Sequence, residues 1–183
     1  KTDAEGQAAY QEFLDEVPTL EVQSVGDKGT DKVFSAVAKY TGETYKYFQS
    51  IASLSVEGTE TAKGFKVFQV YEGLLESEGQ DAAKKMIDSL PAEDQTSYDA
   101  YVAEAAKITD AESAQKEAII EAALGVLTID KTKLTEGVGY MQAIKMGSAL
   151  STAIEQANYI QKAVDYTENF NTVLTNAQNE RGR

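Results

Sequence analysis

The chain contains no cysteine, no histidine and no tryptophan, and only two prolines in 183 residues. Without cysteine there are neither disulfides nor thiolate chemistry. Without histidine, the commonest metal ligand and the side chain best suited to proton transfer near neutrality are also missing. The Glu-x-x-His pairs of di-iron helical proteins cannot be written in this sequence, and any metal site would have to be oxygen-rich, suited to calcium or magnesium. Long hydrophobic runs are lacking too: the longest, residues 118–129, is interrupted by Glu121 and falls short of the roughly 20 residues a spanning helix needs. Direct membrane insertion is not expected.

Positive charge is scarce. Seventeen Lys and Arg stand against 30 Asp and Glu, for a net charge of −13. The imbalance is global: residues 1–90 carry 9 basic and 16 acidic side chains, and residues 91–183 carry 8 and 14. Such a surface repels phosphate backbones and anionic headgroups, so no nucleic acid partner is expected. No charged n-region or apolar h-region is present. Lys1-Thr2-Asp3 reads as a polar spacer left by a removed signal or lipid-anchor segment. Together with abundant Ser, Thr, Gln and Tyr and the missing cysteines, it leads us to expect an extracytoplasmic protein: periplasmic, cell-surface or secreted.

What is present is helical periodicity. Gly139, Ala143, Met146, Leu150, Ala153, Ala157, Ile160 and Val164 follow at unbroken 4-3 spacing, one face of a long helix. Gly139, Ala143, Gly147 and Ser151 recur every four residues, a small-residue line expected to admit a neighbouring backbone. From Tyr159 onward a second line appears, Tyr159, Ala163, Tyr166, Phe170, Val173 and Ala177. Either the helix breaks near residues 167–169 or its last third packs elsewhere. Packing within the chain is preferred; the alternative is a homodimer, for which Tyr159, Tyr166, Phe170 and Val173 are the candidate interface.

Upstream, a first helix is expected over residues 4–17, ended by Pro18, and a connecting loop over residues 19–30. Thr30 or Asp31 is placed as the cap of a second helix. Its lines Val33, Val37, Tyr40, Thr44, Tyr47, Ile51, Leu54 and Phe34, Ala38, Thr41, Tyr45, Phe48, Ala52 imply two neighbours. A third helix follows Thr59 or Thr61, although residues 65–71 are rich in β-formers; no comparable strand exists to pair with them. A short helix over 81–89, one over 92–108, and one over 111–127 capped by Thr109 or Asp110 complete the series. The last of these has apolar residues round most of its circumference and is expected near the centre. The fold class predicted is all-α: a single-domain helical bundle, residues 1–183, of six or seven helices with a long C-terminal helix and a frayed end at 179–183.

Chemistry is thinly marked. Asp27 and Asp31 flank Gly29, but the acidic spacing of a calcium loop is missing, so no metal is assigned. Lys145 and Ser148 are close in sequence, yet a Ser-Lys nucleophile needs burial and an oxyanion hole. No catalytic residue and no cofactor is assigned. Ten tyrosines without tryptophan form a biased aromatic set. Tyr40, Tyr45, Tyr47 and Tyr71 fall on two helices expected to be neighbours, and are the candidate ligand-binding residues, although tyrosine most often sits at the edge of a core. Elimination favours a non-enzymatic exported protein that binds or scaffolds a protein partner, tethered through a removed N-terminal segment. The alternatives are a carrier of a small apolar or aromatic ligand, an enzyme using carboxylates or Ser and Lys, and an acidic decoy for a nucleic-acid-binding protein.

Overall fold

The computed structural model describes residues 8–182 and is all-α, with eight helices and no strand among the described residues. They are α1 Gln11–Asp15, α2 Lys28–Ser53, α3 Glu60–Ser77, α4 Gln80–Asp88, α5 Ala92–Ser113, α6 Lys116–Leu127, α7 Lys131–Leu134 and α8 Tyr140–Glu180. The count exceeds the expected six or seven because α7, a single turn capped by the Asp130 carboxylate, takes the place of a loop. The proposed polar spacer at residues 1–3 and the start of the expected first helix lie outside the described residues. The chain divides into two compact units. One holds residues up to Leu14, Tyr47–Ser113 and the chain from Thr167; the other holds Asp15–Lys46 and Ala114–Tyr166.

The first unit is organised by aromatic rings. Phe68 is fully buried, its ring centroid 5.2 Å from Tyr101, 5.9 Å from Tyr71, 6.3 Å from Tyr98 and 6.0 Å from Phe170, the last edge-on. These spacings lie in the range where ring quadrupoles attract. The β-forming stretch 65–71 is therefore helical: period 3.6 puts Phe65, Phe68 and Tyr71 on one face, and burying them outweighs local β propensity. Thr59 caps α3 by accepting from the Ala62 amide at 3.1 Å. Gly79, at φ +96°, lets the chain leave α3, with the Glu78 and Gly79 amides both on the Leu74 carbonyl. Gly64 meets α5 so closely that a Cβ there would lie 1.9 Å from the Ser97 carbonyl oxygen.

Two expectations fail in this unit, the Thr109 cap and the frayed C-terminal end, and one open alternative, a break in the last helix, is decided. Helix α5 runs through Thr109 to Ser113; Thr109 is not a cap, because its hydroxyl is buried 3.0 Å from the Tyr47 hydroxyl. Helix α8 does not break at 167–169. Nor is its end loose: Arg181, in the stretch expected to fray, is bonded to Asp99 through Nε at 3.0 Å and Nη2 at 3.1 Å, and to Gln95 and Asp88.

The second unit is built from the N-terminal part of α2, α6, α7 and the first two thirds of α8. Phe34 and Val37 of α2 are fully buried there, and Val33 lies 3.3 Å from where a Cβ on Gly125 would stand. Asp27, not Thr30 or Asp31, caps α2, with Oδ2 accepting from the Thr30 amide and hydroxyl at 2.9 and 2.7 Å. These bonds hold its carboxyl below the usual range. Asp31 instead accepts from Ser24 Oγ and the Val25 amide, closing the preceding turn. The irregular segment before that turn is strapped to α8: Gln156 Nε2 donates to the Thr19 and Glu21 carbonyls at 2.8 and 3.1 Å, and Gln142 Nε2 to the Val25 carbonyl at 3.3 Å. Helix α6 is not enclosed all round, since Leu124 is 47% and Leu127 36% exposed.

Helix α8 carries a buried line at strict 3-4 spacing: Met146, Ala149, Ala153, Gln156, Ile160, Ala163, Thr167, Phe170, Leu174 and Ala177. The sequence splits this line into two, because Gln156 and Thr167 are polar. The small-residue line is not a backbone contact. Gly139 is exposed and precedes the helix, while Gly147 accommodates the stem of Lys131, whose Cε lies 3.4 Å from an ideal Cβ.

Candidate functional site

The four tyrosines chosen as ligand-binding are divided between the two units. Tyr47 and Tyr71 belong to the first unit and are core residues, whereas Tyr40 and Tyr45 are half-buried on the part of α2 in the second. Tyr40 borders the Lys39 ammonium, 5.1 Å from its ring. Burial pushes the Tyr47 phenol up to about 12, opposed by its bond to Thr109. Tyr71 donates to Glu180 Oε2 at 3.0 Å and accepts from Asn176 at 3.2 Å; burial first, then the Glu180 carboxylate, raises its phenol far above the ordinary 10.0. Tyr98 beside it is buried with its hydroxyl unpaired. This polar group ties the end of α8 to α3 and α5, and the Arg181 guanidinium compensates the Asp99 and Asp88 carboxylates.

The candidate interface residues are also largely internal. Phe170 and Tyr159 are buried, Phe170 against Phe68 of its own chain, and Tyr166 and Val173 are half-buried. Lys145 and Ser148 are both exposed, so neither has the dry surroundings that activate a nucleophile. Among the described residues no group of three or more carboxylates converges as a metal-ion set.

The outward-facing feature of the second unit lies at the start of α8. Tyr140 is 80%, Met141 74% and Ile144 52% exposed. At about 100° per residue, these three span an arc of about 100° on the side turned away from buried Met146. The strip forms there because the loop of residues 135–139, with Gly137 at φ +74°, starts the helix before its buried line begins at Met146. Next to it in the chain, seven residues between Thr128 and Val138 line a cleft of about 630 Å³ with Asp27, Thr30 and Met146. Its lining is apolar at Ile129, Leu134, Val138 and Met146 and charged at Asp27, Asp130, Lys133 and Glu136. Asp27 and Asp130 are already committed to capping α2 and α7.

No protein-family model, curated protein or solved structure matches the chain. The site must be read from its own chemistry. Tyrosine and methionine are both enriched in protein–protein contacts relative to the rest of a protein surface. Sequence reasoning missed this strip, although a signal existed: Tyr140, Met141 and Ile144 are the apolar residues of the long helix that stand off its 4-3 line, ahead of the first buried turn.

Proposed function

We propose that this is a non-enzymatic helical-bundle protein that acts by binding a protein partner, and that Tyr140, Met141 and Ile144 are the contact. The observation that carries the reading is the exposure of three large apolar side chains on one helix face, in a chain whose other apolar helix residues are mostly buried. An extracytoplasmic setting belongs to the same proposal, and fractionation of cells that express the full gene tests it. The function is tested by the triple variant Tyr140→Ser, Met141→Ser, Ile144→Ser. The expected result is an unchanged melting temperature together with loss of a saturable partner that the parent chain retains. Retention of that partner by the variant would refute the reading.

The cleft favours a second reading, a carrier of a small apolar ligand. Its volume falls within the range of small-molecule sites. The side chains that would hold the ligand are Ile129, Leu134, Val138 and Met146 in place of the tyrosines. A native mass spectrum of gently purified protein showing a retained adduct, lost in Val138→Asp, would support it.

A further inference from the structure

We infer that the partner docking on the Tyr140–Met141–Ile144 strip presents an acidic polypeptide segment: one apolar anchor side chain flanked by carboxylates. The inference rests on the protein-binding reading above and adds the partner's charge. Residues 131–154 carry Lys131, Lys133 and Lys145 against the single acid Glu136, a basic stretch in a chain of net charge −13. Two of these lysines border the strip on opposite sides. Setting Tyr140 at 0°, Ile144 falls at about 40°, Met141 at about 100° and Lys145 at about 140° round the helix. Gly147 falls at about −20° on the same scale, and the Lys131 ammonium lies 3.7 Å from its ideal Cβ position. An apolar centre with a cation on each flank is complementary to an anchor with an anion on each flank.

The same geometry argues against the other occupants. An isologous contact between two copies would set lysines against lysines, so the strip does not pair with itself. A helix lying in a lipid surface needs a long apolar face, and this one ends within two turns. Beyond Ile144 the same face continues as exposed Ser148, Ser151, Glu155 and Asn158. The sign of the charge makes the inference sharp: the field of the whole chain selects basic partners, whereas the local lysines select acidic ones.

The test is selection of a displayed library of random peptides, about 12 residues long, on the full chain, with the enriched peptides then synthesised and titrated at low and high salt. We expect enriched peptides to carry Asp or Glu on both sides of a Leu, Phe or Trp and to lose binding in the triple serine variant. Lys131→Glu with Lys145→Glu should weaken them by about tenfold or more at low salt, and less at high salt. Lys131→Gln with Lys145→Gln should fall between, and all variants should melt with the parent because every altered side chain is exposed. Enriched peptides that depend on the strip but are neutral or basic would overturn the acidic partner and leave the binding reading standing. Absence of any strip-dependent peptide would overturn both. Strip-dependent binding to vesicles of phosphatidylcholine with phosphatidylglycerol, without peptide binding, would overturn the inference in favour of lipid.

Discussion

Replacing Gly64 with alanine puts a carbon atom where α5 already is. The new Cβ would stand 1.9 Å from the Ser97 carbonyl oxygen, 2.7 Å from its carbon and 2.7 Å from Tyr101 Cβ. Ordinary contact needs roughly 3.5 Å, so α3 and α5 would have to separate by roughly 1.5 Å. The nearest atoms are backbone, so no rotamer change relieves the clash, and separation loosens Phe65 and Phe68 from Tyr98 and Tyr101. Overpacking costs up to about 3 kcal/mol, while exchanging glycine for alanine within a helix returns about 1 kcal/mol, leaving a net loss of up to about 2 kcal/mol. Gly73 is the control on the same helix: a Cβ there meets nothing within 4 Å. Gly73→Ala should therefore stabilise by about 1 kcal/mol. Urea unfolding followed at 222 nm should show the two substitutions shifting the midpoint in opposite directions. Truncating Tyr101 should not rescue Gly64→Ala, because the closest atom is the Ser97 carbonyl. A Gly64→Ala protein as stable as the parent would refute the close approach of the two helices.

Alkaline titration tests the aromatic core. The folded state holds Tyr47 protonated up to about 12, and Tyr71, Tyr98 and Tyr101 are also raised, burial being the first cause in each. These phenols have raised folded values, so their contribution is complete below the unfolded value of 10.0 and is lost as pH rises above it. Each takes away up to about 1.4 kcal/mol per pH unit in that window. Tyrosinate absorbance and helicity recorded together should show several of the ten tyrosines ionising only as the helices unfold. All ten titrating near pH 10 with helicity intact would contradict their burial. At the C-terminus, Arg181→Met should cost about 2 kcal/mol, because it strands the largely buried Asp99 carboxylate, and should speed amide exchange in the last turns of α8. Unaltered exchange would mean that the end of α8 is held by something other than Arg181.

Helix content and the long last helix are legible in the sequence, because 3.6-residue periodicity is local and needs no knowledge of partners. The Met146 to Ile160 part of the seam and the Thr59 cap are of this kind. Helix ends were less legible: Thr109 has the chemistry of a cap, and only its distance from Tyr47, 62 positions away, shows that its hydroxyl is already used. Gln156 and Thr167 disguised one continuous buried line as two, since whether a polar side chain is buried depends on what its hydrogen-bonding groups meet. The tyrosines stand out in composition, but period alone does not say which of them share a packed unit: Tyr47 and Tyr71 belong to one, Tyr40 and Tyr45 to the other.

By itself, then, the sequence determined the helical class, the strongly acidic field and the exclusion of thiol and imidazole chemistry, all properties of composition and local spacing. Tertiary structure alone decided that Gly64, and not the small-residue line of α8, is where two backbones meet. It also decided that Arg181 ties down the chain end, and that Tyr140, Met141 and Ile144 face outward between two lysines. Each of these depends on contacts between residues far apart in the chain, and no local rule carries that information.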